Sequence, residues 1–361
     1  MNKEKILEAL KKVRHPEEKT NLVASGIVTG ISVEGKKVKI ILQFKKPVDP
    51  LANSVKRACI QTITEAFGNE IELEIENIFP QRKIEKKIPF QGAKNIVAVA
   101  SGKGGVGKST IAVNLAVALA NKGLKVGLLD ADIFGPSIPK MFGIENVKPS
   151  VENVDGHKLI STVEKFGVKL LSIGFFVSHE QALIWRGPMA TNALKQLMEQ
   201  GNWGKPDVML IDMPPGTSDI HLTLVQSVAV TGVIIVTTPQ EVALADALKG
   251  INMFRNSQIK VPVLGLVENM SWFTPAELPE NKYFIFGDGG GGRVANELNV
   301  PLLGQIPIVQ SICESGDKGI PVALNAQRAD GKAFAELAKK VLMAIEERNK
   351  FEATKKVEII K

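Results

Sequence analysis

Nine residues, Gly102-Lys103-Gly104-Gly105-Val106-Gly107-Lys108-Ser109-Thr110, carry the densest chemistry in the chain. Glycines at this spacing let backbone N–H groups converge on phosphate oxygens. The Lys108 ammonium can balance the charge of β- and γ-phosphates, and the Ser109 hydroxyl can ligate Mg²⁺. A second lysine, Lys103, stands before the paired glycines, and two lysines flanking a glycine-rich turn suit a triphosphate whose charge builds up during transfer. Two further acidic segments fit the same chemistry. Asp130 and Asp132 follow the apolar run Val126–Asp130 and can hold the shell of a Mg²⁺ ion or orient a water. Asp212 ends the run Val208-Met209-Leu210-Ile211 and is followed by Met213-Pro214-Pro215-Gly216-Thr217, a stiff turn able to sense a γ-phosphate. Asn269 ends another apolar run, with an amide that both donates and accepts, which suits a purine edge. Phe286–Leu298, FGDGGGGRVANEL, reads as a mobile glycine-rich loop before a helix, a plain flexible connection with a second anion site as the lesser alternative.

The elements that must position these residues are legible from hydropathy. Ile96–Ala100 is a short apolar run, the glycine turn follows, and Ser109–Asn121 continues as a helix closed by Gly123. That is the strand, loop and helix of a P-loop. Beyond it strands are expected near Val126–Asp130, Val168–Ile173, Val208–Asp212, Val233–Thr237, Val263–Val267 and Leu302–Gln305, with helices around 189–200, 217–228, 241–255 and 331–347. Runs rich in Val, Ile and Leu without alternation indicate strands covered on both faces. The expected fold class is α/β, a doubly wound, mostly parallel sheet, whose ligands bind outside the carboxyl ends of the strands. Ahead of it, helical spacing at Ile6, Leu7, Leu10 and Val13, alternation over Ala24–Val33 and Lys37–Phe44, a helix over Pro50–Phe67 and a strand over Ile71–Ile75 describe a small α+β domain. The expected division is a small domain over 1–78, a linker over 79–94, an ATPase-like domain over 95–347 and a basic tail over 348–361.

Composition narrows the classes. At 361 residues the chain exceeds the usual single core. It has 44% apolar and 23% charged residues and no apolar run of the roughly 18–20 residues that a membrane span requires, so a soluble, cytoplasmic protein is expected. Net charge is +7, and the basic cluster Gln81–Lys87 lacks the interleaved aromatic residues that would stack on bases, so it reads as a solvated linker rather than a nucleic-acid patch. Cys59 and Cys313 are the only cysteines, which excludes a disulfide framework and a four-cysteine site within one chain. The four histidines have no metal-ligand spacing among themselves.

Taken together, KGGVGKS, GLLDADIFGPSIPKMFG, LIWRGPMATNALKQL, LIDMPPGTSD, TTPQEVALADA, VENMSWF and IFGDGGG resemble the Mrp/ApbC iron–sulfur cluster carriers within the MinD/ParA class of ATPases, over about residues 92–345. Residues 1–78 resemble the small iron–sulfur assembly domain fused ahead of such ATPases. The resemblance implies ATP and Mg²⁺ as ligands, a homodimer formed around ATP in which Lys103 acts on the partner's nucleotide, Lys108 and Ser109 on phosphate and Mg²⁺, Asp130 and Asp132 in a switch role, and Asn269 on adenine. It also implies an iron–sulfur cluster as cargo, with apo iron–sulfur proteins and cluster assembly factors as partners. The chain departs from the family after ENMSWF. A C-x-x-C pair is usual there, but Thr274-Pro275-Ala276-Glu277-Leu278-Pro279 stand in its place, so no cysteine cluster site is identified. In the small domain Asp49, not cysteine, precedes Pro50. A scaffold ATPase of the MinD/ParA kind without a cluster is the alternative.

Overall fold

The computed structural model describes residues 2–17, 20–47, 49–68, 70–80, 88–133, 135–154, 156–176, 187–217, 219–275, 277–278, 280–354 and 356, and the chain divides into two compact units, Met1–Lys86 and Lys87–Lys361. The basic cluster Gln81–Lys87 and much of the expected segment LIWRGPM lie outside the described residues.

The small unit runs α1 (Lys3–Leu10), β1 (Val28–Glu34), β2 (Lys37–Gln43), α2 (Ala52–Phe67) and β3 (Glu72–Ile78). The β1–β2 hairpin turns at Gly35, whose φ of 63° is the left-handed conformation that glycine adopts without strain. Helix α2 carries the chain across so that β3 pairs with β2 in parallel. Alternation along β2 sends Val38, Ile40 and Leu42 inward against Ile6, Leu10, Val55, Cys59 and Ile63. His15 is buried: its Nε2 lies 3.2 Å from Asp49 Oδ2, and its Nδ1 accepts the Glu17 N–H.

The large unit contains β4 (Asn95–Ser101), α3 (Lys108–Asn121), β5 (Val126–Asp130), α4 (Ile138–Met141), β6 (Val151–Val154), β7 (His157–Ile160), β8 (Val163–Lys165), β9 (Val168–Ser172), α5 (Gly187–Gln200), β10 (Val208–Asp212), α6 (Asp219–Ser227), β11 (Gly232–Thr237), α7 (Glu241–Arg255), β12 (Val263–Phe273), α8 (Gly290–Glu297), β13 (Leu302–Ile308), α9 (Gln310–Lys318) and α10 (Ala329–Asn349). Its eight-stranded sheet has the order β13-β12-β11-β4-β10-β5-β9-β8 and is parallel except for β8. The first strand, β4, lies between β10 and β11, so the chain order reverses beside it and opens a crevice at its carboxyl end. Along β4, Val97 and Val99 enter the core formed with α3 and α10, whereas Ala98 and Ala100 enter the core formed with α5, α6 and α7. Two buried faces explain why the strand read as an unbroken apolar run.

Two sequence expectations change. Part of the expected linker belongs to the large unit: Phe90 is 2% exposed, packs edge-on to Trp203 and donates its N–H to Met198 O. Of the glycines of Phe286–Leu298, Gly287 and Gly289 lie in a short turn, whereas Gly290, Gly291 and Gly292 form the first turn of a helix. A Cβ on Gly290 would lie 2.8 Å from Pro239 O and one on Gly291 2.6 Å from Glu268 Oε2, so these glycines permit close packing. The buried Glu268 carboxylate accepts the Gly291 N–H at 2.5 Å and the Gln305 side-chain amide at 2.8 Å. The start of α8 is filled by the protein's own carboxylate, which removes the second anion site.

Phe334 on α10 is fully buried. Phe334→Ala is expected to cost the large unit roughly 3–5 kcal/mol, measured as a lower midpoint in denaturant unfolding at unchanged slope.

Candidate functional site

Four strand ends and one helix start converge in the crevice. Gly105 and Gly107 have φ of 83° and 80°, conformations that bend the loop after β4 so that its backbone faces inward and leads into α3. Gly102 is required for a different reason: a Cβ there would stand 2.1 Å from Asp246 O, because α7 packs backbone to backbone on the loop's entry. Around Gly105 there is open space, and Gly104 has only Pro215 at 3.9 Å. The N–H groups of the first turn of α3 have no helical partner. Ser101, Lys103, Gly104, Gly105, Gly107, Lys108, Ser109, Thr110, Asp132, Ser137, Met141 and Pro215 thus line a cleft of about 210 Å³ with donors on one side.

At its base, Lys108 Nζ lies 2.7 Å from Asp212 Oδ1, and Ser109 Oγ donates to Asp212 Oδ2 at 2.6 Å. Lys108 and Asp212 are 6% and 0% exposed. Residues Asp130 and Asp212 pair across β5 and β10, so two carboxyls meet in one buried place. Burial, and then the Asp212 charge, push the Asp130 carboxyl up to about 8. Burial also raises Asp212, against the pull of Lys108. The ammonium and the Ser109 hydroxyl favour negative charge on Asp212, and that charge in turn disfavours a second one on Asp130. Beyond Asp212 the turn is tied to β4, since Met213 N donates to Val99 O and Gly216 N to Ser101 O.

The structure separates Asp130 and Asp132, which the sequence placed together. Asp132 lines the cleft. Asp130 is 1% exposed and faces inward, with Oδ1 accepting the Asp132 N–H at 3.2 Å and Oδ2 accepting the Ser172 hydroxyl at 2.8 Å. Ser172 was missed in the sequence, although it ends the apolar run of β9 in the same way that Asp130 and Asp212 end theirs. Lys103 is exposed, and among the described residues its ammonium has no hydrogen-bonding or ionic partner.

Asn269 braces the loop from the other side. Its Nδ2 donates to Val106 O at 2.8 Å and would stand 2.2 Å from a Cβ at Gly107. The next residue, Met270, has φ of 57°, unusual for a side-chain-bearing residue, and the register slips between Asn269 and Phe273. That bend directs Asn269 toward the loop. Asn269 and Thr110 also border an adjoining cavity of about 590 Å³ with a mostly apolar wall that includes Phe286, Ile308 and Ile312.

On either side of the segment that replaces the usual C-x-x-C pair, Phe273 and Tyr283 exchange N–H···O bonds of 2.8 Å, and Lys282 Nζ lies 4.1 Å from the Trp272 ring centre. Ala276 and Pro279 lie outside the described residues. Among the described residues no group of three or more His, Cys, Asp or Glu side chains could hold a metal ion. Cys59 is fully buried in the small unit, where burial pushes its thiol up to about 12, and Cys313 is exposed on α9. No helix among the described residues is long and apolar enough to cross a membrane.

A glycine cradle, a lysine, a hydroxyl and a strand-end carboxylate at the reversal point of a doubly wound sheet define a P-loop NTPase. Residues 92–342 match the profile of the NUBPL iron-transfer P-loop NTPases, and residues 3–73 that of an iron–sulfur cluster assembly protein. The chain belongs to the NUBPL iron-transfer P-loop NTPase family. It is 42% identical to the iron–sulfur cluster carrier protein of Synechocystis sp. over 339 residues, covering 93% of this chain and 96% of that protein. Among solved structures it resembles a nucleotide-binding protein of Archaeoglobus fulgidus in complex with ADP, at 35% identity and a TM-score of 0.57, over 67% of this chain and 92% of that one. It also resembles the septum site-determining protein MinD of Pyrococcus horikoshii complexed with Mg-ADP, at 25% identity and a TM-score of 0.52, over 71% and 99%.

Because Asp212 holds both Lys108 and Ser109, phosphate must compete with a carboxylate for them. Asp212→Asn is therefore expected to tighten ATP binding in EDTA several-fold and to abolish the gain that Mg²⁺ brings, read by nucleotide titration with and without the metal. An undiminished Mg²⁺ gain would refute this role for Asp212.

Proposed function

We propose that this protein is an ATP-hydrolysing iron–sulfur cluster carrier that works as an ATP-dependent homodimer and passes clusters to apo iron–sulfur proteins. The single observation that carries the nucleotide half is the Lys108–Asp212–Ser109 triangle under an open glycine cradle. The ammonium and the loop N–H groups take the β- and γ-phosphates, and the base enters the neighbouring 590 Å³ cavity, where the Asn269 amide oxygen can meet a purine while Nδ2 stays on Val106 O. The hydroxyl of Ser109 and the carboxylate of Asp212 are hard oxygen ligands already 2.6 Å apart and fit Mg²⁺, which would supply neutralisation of charge on the β- and γ-phosphate oxygens.

In hydrolysis a water oxygen bonds to the γ-phosphorus, the bond to the β–γ bridging oxygen breaks, and ADP and inorganic phosphate leave. Lys108 and the loop amides stabilise the growing charge on the transferred group. Asp132, facing the cleft, orients the water. Lys103 stands exposed and has no partner among the described residues, which supports a role on the nucleotide of a second copy. Lys108→Ala is expected to lose ATP binding in a folded protein. Lys103→Ala is expected to keep binding and lose turnover by about two orders of magnitude or more, with wild-type specific activity rising with protein concentration across the dimerisation range. An active Lys103→Ala variant at concentration-independent wild-type activity would reject the dimer mechanism.

The cargo half follows from the family, whose Synechocystis member is named an iron–sulfur cluster carrier. The ligands must differ from a four-thiolate set. Cys59, held as a neutral thiol in the core of its unit, is a poor ligand, and a two-fold axis can bring together at most two copies of Cys313. The cluster is therefore held weakly, by oxygen, nitrogen or external thiol ligands. After reconstitution, Cys59→Ala/Cys313→Ser is expected to retain nearly the same iron and sulfide as the wild type. Stoichiometric, chelator-resistant iron and sulfide that vanish in the double variant would overturn this ligand assignment. A wild type that takes up no cluster while hydrolysing ATP would favour a scaffold ATPase.

A further inference from the structure

Ser172 lies at the end of β9, fully buried and not among the residues that line the cleft. Its hydroxyl nevertheless makes two directed hydrogen bonds. The O–H donates to Asp130 Oδ2 at 2.8 Å, and the oxygen accepts the Gly174 N–H at 3.0 Å. The other oxygen of Asp130 accepts the Asp132 N–H. The path from β9 to the cleft is thus continuous: Gly174 N–H, Ser172 Oγ, Asp130 carboxyl, Asp132 N–H and then the Asp132 side chain in the cleft. The same two segments also approach closely, since a Cβ at Gly174 would stand 3.1 Å from Pro136 Cβ. The turn after β5 therefore meets the turn after β9 through one hydrogen bond and one close approach.

We propose that Ser172 is a positioning residue for ATP hydrolysis, fixing the Asp130–Asp132 turn so that Asp132 faces the reacting phosphate. This rests on the ATPase reading given above. Among the described residues the Ser172 hydroxyl donates to Asp130, which is itself withdrawn from the cleft and reaches it through the Asp132 amide. Without the hydroxyl, Asp130 loses one of its two directed partners and can rotate, and the Asp132 amide loses its fixed acceptor. The phosphate cradle is built on β4 and α3, so nucleotide affinity depends little on this relay. Turnover, which needs Asp132 held in one orientation, depends on it strongly. A threonine keeps the hydroxyl and restores the relay, whereas alanine removes it.

The test uses the full chain. Ser172→Ala is expected to bind ATP within about threefold of wild type and to lose about tenfold in kcat, a factor equal to about 1.4 kcal/mol of barrier, and Ser172→Thr is expected to recover most of that loss. In an Asp132→Asn background, Ser172→Ala should cost little more, because the residue it positions is already disabled. Hydrogen exchange in the nucleotide-free protein reads the relay without turnover: the amides of Asp132 and Gly174 should exchange faster in Ser172→Ala and return toward wild type in Ser172→Thr. Unchanged exchange at both amides, or a full tenfold loss persisting in the Asp132→Asn background, would overturn the proposal. A wild type that binds ATP but does not turn it over would instead remove the ATPase reading, and the exchange result would still decide whether Ser172 holds the turn.

Discussion

One ammonium among two buried carboxyls sets the conditions for everything at the carboxyl edge of the large sheet. Lys108 cannot be left uncompensated at 6% exposure, and neither can an ionised Asp212 at 0%. The ion pair meets both needs, and burial beside Asp212 disfavours a second negative charge on Asp130 that Lys108 alone could not balance. This arrangement is poised for exchange. A phosphate can take the ammonium and a divalent cation can take the carboxylate, so that each buried charge keeps a partner of opposite sign throughout. The loop glycines matter because backbone N–H groups add donors without adding bulk, and because Gly102 lets α7 lie directly against the loop. The ion pair, the loop and the helix behind it form one packed assembly.

The same edge of the sheet shows how the protein uses its strand ends. Asp130, Asp212 and Ser172 end apolar strands, and Glu268 and Asn269 follow the apolar first half of β12, yet they do different work. Asp212 meets the cationic side of the cleft. Asp130 and Ser172 hold a turn. Glu268 ties α8 to β12 and β13, while Asn269 supports the phosphate loop from below. A polar residue at the end of a buried strand must find a partner, and which partner it finds depends on the neighbouring strand.

The family's cargo role contrasts with the thiols that this chain retains. Cys59 is spent on packing α2 against the small sheet, where a thiolate would be strongly disfavoured. The segment after β12 is closed by an antiparallel backbone bridge between Phe273 and Tyr283. Asp49, standing where a cysteine is usual, is engaged by the Leu51 N–H and by His15. Asp49 is thus held by structural partners, and the segment Thr274–Pro279 contains no thiol, so the ligand set for any cluster has to be sought elsewhere.

The sequence by itself determined the phosphate loop, the strand-end aspartates, the α/β alternation and the presence of a small unit ahead of the large one. These are local features: glycine spacing fixes backbone conformation within a few residues, and strands buried on both faces must be apolar throughout. Tertiary structure alone decided which of two neighbouring aspartates enters the cleft, because that depends on Ser172, forty-two residues further along the chain. It also decided that Phe90 belongs to the large unit through Trp203, and that the glycines of α8 serve packing against Pro239 and Glu268. Glycine has the same signature in sequence whether its missing side chain admits a phosphate or a neighbouring carboxylate. Only the neighbour brought alongside by the sheet distinguishes the two, since the energy of a buried polar group is set by the partner it meets and not by its own identity.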